Sequence, residues 1–183
     1  MHLEYLASDA WAERLRADLL PWIDRVADLG DDVLEIGPGP GLTTDILRER
    51  TPSVTAVEID PDLAAALTAR LACTNVTVIA GDASVVDLPD GRFSAATCFS
   101  VLHHVPTVEE QDRVLARIRS LLRPGSALYA VDTRDIEFIR DVHEDDVFNP
   151  LDESTLADRL HRAGFTDVDL DIGEYELRFV ART

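Results

Sequence analysis

Three acidic residues and three glycines stand at spacings suited to gripping a nucleotide-like ligand. In Val33-Leu34-Glu35-Ile36-Gly37-Pro38-Gly39-Pro40-Gly41-Leu42-Thr43-Thr44 an apolar run ends in a glycine turn, with Glu35 two places before Gly37. Glycine carries no side chain and tolerates positive φ, so backbone in such a turn can approach a ligand closely. A helix opening after the turn presents unpaired N–H groups. About 20 residues on, Val54-Thr55-Ala56-Val57-Glu58-Ile59-Asp60 reads as a strand ending in Glu58, whose carboxylate can accept bonds from both hydroxyls of a ribose, as in dinucleotide folds. Asp60-Pro61 then reads as a helix start, Asp as cap and Pro in the first turn. The dinucleotide fingerprint itself requires glycine at position 42, where Leu42 stands.

Two further groups could do chemistry. Asn75-Val76-Thr77-Val78-Ile79-Ala80-Gly81-Asp82-Ala83 is a third strand followed by Gly81-Asp82. By itself a Gly-Asp pair is usually a turn, and its place after two matching elements is what favours ligand contact. Cys98-Phe99-Ser100-Val101-Leu102-His103-His104-Val105 puts Phe99 and Ser100 at the carboxyl end of a fourth strand, where ligands gather in open α/β sheets. An imidazole titrates near 6.5, so His103 or His104 could take a proton from a substrate hydroxyl or amine. A lone histidine commonly has a structural job instead.

The glycine turn preceded by Glu35 resembles motif I of the class I S-adenosylmethionine-dependent methyltransferases. In that family the glycines matching Gly37, Gly39 and Gly41 pass under the methionine part of S-adenosylmethionine, and Glu35 would face its amino group directly or through water. The resemblance gives Asp82 the adenine amino group, with Ala83 offering its backbone N–H and Ile59 an apolar face beside the ring. The small-molecule enzymes of the family show Leu-Pro, a turn, Phe-Asp, a strand and a Leu-His-His ending. Here Leu88-Pro89, Phe93-Ser94 and Leu102-His103-His104 match, with Ser94 in place of Asp. The counterparts of His103 and His104 more often support the loop beside the cofactor than act as bases.

The resemblance implies methyl transfer to a small-molecule substrate, with S-adenosylhomocysteine as product. The first three motifs also look like those of the ribosomal RNA adenine dimethyltransferases. Those carry an Asn-Leu-Pro-Tyr-like motif at strand 4, which Phe99-Ser100-Val101-Leu102 lacks, so that branch is set aside. A non-catalytic S-adenosylmethionine-binding module acting through a protein partner is the alternative. Leu42 argues against a nicotinamide oxidoreductase, and Ser100-Val101-Leu102-His103 lacks the acidic pair of an aminopropyl transferase.

These groups need a sheet to align them. Short β-rich runs at Val33–Ile36, Val54–Val57, Val76–Ile79, Ala95–Phe99 and Ala127–Val131 alternate with helical patterns near Thr43–Arg50, Pro61–Leu71 and Val108–Leu122, the last stopped at Arg123-Pro124-Gly125. After a helix near Glu153–Ala163, strands about Val168–Ile172 and Tyr175–Val180 are separated only by Gly173-Glu174, so they pair antiparallel. The expected fold is α/β, a doubly wound, mostly parallel seven-stranded sheet (Rossmann-like) with a C-terminal antiparallel hairpin.

The chain reads as a single domain, 1–183, with a helical lid over 1–29 and a core over 30–183. Apolar positions at helical spacing run from Asp9 to Leu29, kinked or split at Pro21. Acceptor choice falls to Met1–Leu29 and the loop from Thr133 to Leu151, with Tyr5, Trp11, Phe138 and Phe148 as candidates for an apolar wall. His143, with Asp132, Arg134 and the Glu144-Asp145-Asp146 run, could face the mouth, but a charge run is usually a solvated face.

At 183 residues and 46% hydrophobic, the composition suits one core;. Cys73 and Cys98 form no metal-type pair and read as buried free thiols, so no metal site is expected. No apolar run approaches membrane-spanning length and no basic-then-apolar leader is seen, which points to a cytoplasmic protein without a membrane partner. A formal net charge of −18 repels phosphate backbones, so no nucleic-acid partner is expected;. A monomer or homodimer is expected, its mouth open or completed by the second subunit.

Overall fold

The alternation of β-branched runs with helical patterns becomes an alternation of strands and helices. The computed structural model describes residues 8–143 and 146–183. The described chain opens with α1 (Asp9–Arg14), a π-helical turn at Leu15–Leu19 and α2 (Leu20–Val26). Ser8 caps α1 by accepting from the Trp11 N–H at 3.2 Å;. Pro21 has no N–H to bond the preceding turn. The helix widens just before it, the Leu20 N–H reaching back to the Leu15 carbonyl. The expected split at Pro21 is thus a π-bulge inside a continuous helical run.

There follow β1 (Asp32–Ile36), α3 (Leu42–Arg48), β2 (Ser53–Glu58), α4 (Pro61–Arg70), β3 (Val76–Ala80), β4 (Phe93–Phe99) and a 3-10 turn at Leu102–His104. The chain then forms α5 (Val108–Leu121), β5 (Leu122–Thr133), α6 (Glu137–Val142), α7 (Leu156–Ala163), β6 (Asp167–Ile172) and β7 (Glu176–Arg182). The seven strands lie in the order β3-β2-β1-β4-β5-β7-β6. β1 to β5 pair in parallel, and β7 runs antiparallel to both β5 and β6. This is the expected doubly wound sheet with its C-terminal hairpin. Strand order reverses between β1 and β4, the switch point where ligands collect.

Register aligns the site. Ile36 lies level with Val57 on one side and Cys98 on the other, so Gly37, Glu58 and Phe99 leave the sheet together. Strand alternation divides the core. Leu34 and Ile36 pack with Phe93, Leu115, Ile118, Leu160 and Phe179, while Val33 packs with Leu15, Trp22, Ile23 and Leu47 on the other face. Full burial of each such side chain contributes about 1.5–3 kcal/mol, which anchors the π-bulged helix against the sheet.

Three local expectations change. The segment from Thr133 to Leu151 contains α6, whose Phe138-Ile139…Val142-His143 spacing is helical;. Arg123-Pro124-Gly125 does follow a helix end, at Leu121, but opens β5, with a register irregularity opposite Phe93–Ala95. Cys98 is buried as expected, whereas Cys73 is exposed in the surface turn after α4, where it sits left-handed (φ 66). Ser94, which stands in place of the family's Asp, is a tie: its hydroxyl accepts the Asp32 N–H at 2.9 Å and donates to the Leu29 carbonyl at 2.7 Å, pinning β1 to β4. No helix among the described residues is long and apolar enough to cross a membrane.

Candidate functional site

The ends of β1, β2 and β3 build one half of the site. Gly37 has φ +65, and a Cβ there would meet Val101 Cγ2 at 2.5 Å. Gly41 caps α3 in the left-handed region (φ +85), where a Cβ would land on Leu67 Cδ1 and Arg70 Nη2. Gly39 (φ +54) faces open space. Glu58, 5% exposed, holds this turn: Oε2 accepts the Gly39 N–H and Oε1 the Asp60 N–H, both at 2.9 Å. A carboxylate has about four lone-pair sites, so acceptor capacity is left over. Arg70, which no sequence motif marks, donates to the Pro40 and Gly41 carbonyls at 3.2 and 3.0 Å and clamps the turn from α4.

Glu35 is buried and accepts from the Thr43 hydroxyl at 2.5 Å. Burial pushes its carboxyl up to about 7; the Thr43 and Thr44 hydroxyls pull it down, and the charges of Asp45 and Glu58 add to the rise. Its Oε2 is buried with no hydrogen-bond partner among the described residues. A cation brought to that oxygen would hold the group ionised. Asp60 caps α4 as expected, accepting from Asp62 and Leu63 N–H at 2.8 and 3.1 Å. Gly81 N–H bonds the Glu58 carbonyl at 2.8 Å, bringing Asp82 beside the β2 end. Asp82 is exposed and accepts the Ser84 N–H at 2.7 Å. Ala83 packs against the core, and Ile59 is 71% exposed.

The ends of β4 and β5 build the other half. Ser100 holds φ +57 while its N–H bonds the Val131 carbonyl at 2.8 Å. Beside Phe99 and Ser100 opens a cavity of about 490 Å³, walled by Trp11, Leu15, Leu19, Phe138, Ile139 and Tyr175, with His103, Asp132 and His143. Arg14 and Arg178 also reach it, the first paired with Glu176 at 2.7 Å and the second with Asp18 at 2.5 Å. His103 is buried, its Nδ1 2.5 Å from Asp132 Oδ1, while Asp132 Oδ2 accepts the Leu102 N–H at 2.9 Å. His104 is half-buried, with its ring 4.0 Å from that of His103.

His143 overturns its expected solvated place. It is buried, with Nδ1 2.8 Å from the Ile139 carbonyl and its ring stacked on Phe148 at 4.8 Å, because α6 turns it inward. Arg134 instead makes a two-pronged pair with Glu153 at 3.0 and 3.1 Å. Of the wall candidates, Trp11 and Phe138 line the cavity, Phe148 stands behind His143, and Tyr5 lies outside the described residues. Glu144 and Asp145 also lie outside them.

Residues 10–170 match the model of a methyltransferase domain family. An uncharacterized methyltransferase of Mycobacterium tuberculosis is 32% identical over 122 residues, 66% of this chain and 59% of that protein. The "probable ribosomal RNA small subunit methyltransferase A" of Methanothermobacter thermautotrophicus is 36% identical over 137 residues, 68% of this chain and 50% of that protein. The matched stretch thus spans little more than half the length of these curated relatives. Among solved structures, a SAM-dependent methyltransferase of Aquifex aeolicus superposes with TM-score 0.75 at 18% identity, covering 98% of this chain and 96% of the other. A chain of the Haloferax volcanii complex between the Trm112 methyltransferase activator and a methyltransferase superposes with the same TM-score at 15% identity, covering 98% of this chain and 96% of that one.

The relatives named for ribosomal RNA overturn the expectation that nucleic acid is excluded. Net charge sums over the whole surface and does not fix the field at one mouth. With its family model covering most of the chain and its sheet in the expected order, the chain belongs to the class I S-adenosylmethionine-dependent methyltransferases.

Proposed function

We propose that this chain transfers a methyl group from S-adenosylmethionine to a small-molecule acceptor held at the β4–β5 edge, releasing S-adenosylhomocysteine. The cavity of about 490 Å³ beside Phe99 and Ser100 carries the proposal; sites for small molecules occupy roughly 300–1,000 Å³ and are mostly apolar. Two observations fit the cofactor: the buried Oε2 of Glu35, which suits a cationic amino group, and the open space over Gly39, which a side chain would fill. When bound, the cofactor supplies a methyl already activated on a sulfonium, so the protein's work is alignment and exclusion of water.

In this reading Glu58 accepts from the ribose hydroxyls and Gly37, Gly39 and Gly41 carry the backbone under the methionine part. Asp82 and Ala83 hold the adenine edge, and Ile59 and Phe99 flank it. Residues 1–29 act as a lid on the 30–183 core, and the resemblance of Leu102-His103-His104 to the small-molecule branch supports that acceptor class. A cytoplasmic setting belongs to the same reading, supported by two cysteines that form no bridge.

Calorimetric titration of S-adenosylmethionine into wild type and Glu58→Ala tests the cofactor half. Losing two charge-assisted bonds costs about 2–4 kcal/mol, a weakening of roughly 30- to 1000-fold. Glu58→Gln, which can still accept from Gly39, separates loss of the ribose from loosening of the turn. Unchanged affinity in both variants would remove Glu58 from the site. A panel of hydroxyl, amine and thiol acceptors plus an RNA oligonucleotide, read by S-adenosylhomocysteine release, tests the other half. Transfer to the RNA alone would sink the small-molecule reading. Saturable binding without turnover would favour a non-catalytic module acting through a partner.

A further inference from the structure

Among the described residues, one group of metal-ligating side chains is a triad of imidazoles beside the cavity wall. His103 and His104 sit on the 3-10 turn after β4, and His143 caps the carboxyl end of α6. One ring nitrogen from each lies within 4.8 Å of the others. We propose that His103, His104 and His143 bind a first-row divalent cation, zinc by default, with its remaining coordination position open to the cavity.

Three observations support the site. First, the Nδ1 atoms already stand at acceptors: Asp132 Oδ1 at 2.5 Å for His103, the Ile139 carbonyl at 2.8 Å for His143, and, at a longer 3.3 Å, the Val147 carbonyl for His104. A proton held at Nδ1 leaves the lone pair on Nε2, and metal-binding histidines are oriented in this way by a carboxylate or carbonyl behind them. Second, the donor set is right. Three imidazoles with an open fourth position is an arrangement zinc takes in catalytic sites, with bonds near 2.0–2.1 Å; tetrahedral nitrogens then lie roughly 3.4 Å apart, so the three rings must draw together when the cation binds. Third, the charge is right: besides Asp132, the Asp146 carboxylate lies 3.4 Å from His104.

His103 and His143 both line the cavity, and the open position is placed on that side by the proposal. A hydroxyl or thiol bound there would lose its proton to water, the heteroatom–hydrogen bond breaking and the electron pair staying on the heteroatom as the nucleophile. This role rests on the acceptor site proposed above, whereas binding of the cation does not. It also excludes a general-base role for His103, since one nitrogen cannot both hold a cation and take a proton.

The test uses untagged chain, stripped with chelator and titrated with Co²⁺ and Zn²⁺. One equivalent of Co²⁺ should give the visible bands of a tetrahedral site, bleached by Zn²⁺, and Zn²⁺ should raise the melting temperature by tying α6 to the β4 edge. Asp132→Asn should weaken binding roughly 10- to 100-fold as an orienting partner. His104→Ala and His143→Gln, as lost ligands, should weaken it more than that. Absence of a stoichiometric cobalt spectrum in wild type overturns the site, as does binding unchanged in both histidine variants. S-adenosylmethionine affinity measured on the same metal-free proteins keeps a failed cofactor reading distinct from a failed metal site.

Discussion

Glu35 sets the most demanding electrostatic condition at the level of single residues. Its carboxyl rises from an ordinary 4.5 to about 7, chiefly through burial. Between those values the folded chain holds a proton that the unfolded chain has released. This contribution to stability is therefore complete below pH 4.5 and is lost as pH rises through 7, a change of about 3 kcal/mol. Urea unfolding of ligand-free wild type and Glu35→Gln from pH 4.5 to 8 should show wild type losing about that much relative to the variant, which keeps a Thr43 partner but does not titrate. Parallel curves would remove burial as the cause. Saturating S-adenosylmethionine should flatten the wild-type curve, because a cationic amino group at the buried oxygen favours the ionised form. Residues such as Glu58 and Asp60 were legible in the sequence because their partners lie close along the chain or one strand over. His143 was not: its burial depends on a short helix packing it against residues distant in sequence, and a charged stretch conceals that helix.

At the scale of elements, the glycine turn divides its work between two positions. At Gly41 a methyl group meets both a left-handed backbone and the atoms of Leu67 and Arg70. Strain of about 1–2 kcal/mol and overpacking of about 1–3 kcal/mol then add. Gly41→Ala should accordingly lower unfolding free energy by roughly 2–5 kcal/mol. Gly39 has the strained φ but open space, so Gly39→Ala should cost only about 1–2 kcal/mol of stability while blocking the cradle;. Urea titrations paired with cofactor calorimetry separate the two, and equal stability losses would refute the division. The turn, the five parallel strands and the final hairpin were readable because period-two and helical patterns are local. The β5 irregularity at Arg123-Pro124-Gly125 and the π-bulge before Pro21 were only half readable. Proline marks where regular bonding fails, but the surrounding packing decides whether the chain breaks, bulges or starts a strand.

Over the whole molecule, the site joins a local half to a distributed one. The cradle comes from three consecutive strand–turn units, whereas the cavity gathers Trp11, Ser100, His143 and Tyr175 from four parts of the chain. Only the finished sheet, with β7 inserted between β5 and β6, brings Tyr175 and Arg178 to the π-bulged helix. Charge acts at the same scale. All 17 basic residues are arginine, against 35 carboxylates, which leaves 18 negative charges uncompensated. Most described arginines stand in carboxylate pairs, so the excess is spread over the surface as self-repulsion, which disfavours the compact state;. Raising salt from about 0.01 to 1 M shortens the Debye length from about 30 to 3 Å. The arginine pairs lose attraction over that range, but each exposed pair contributes only about 0–1 kcal/mol. Repulsion among the unpaired carboxylates should dominate, and the melting temperature should rise by at least about 2–4 °C, equivalent to about 1 kcal/mol for a chain of this size. A fall in melting temperature with salt would mean that the pairs outweigh the excess charge.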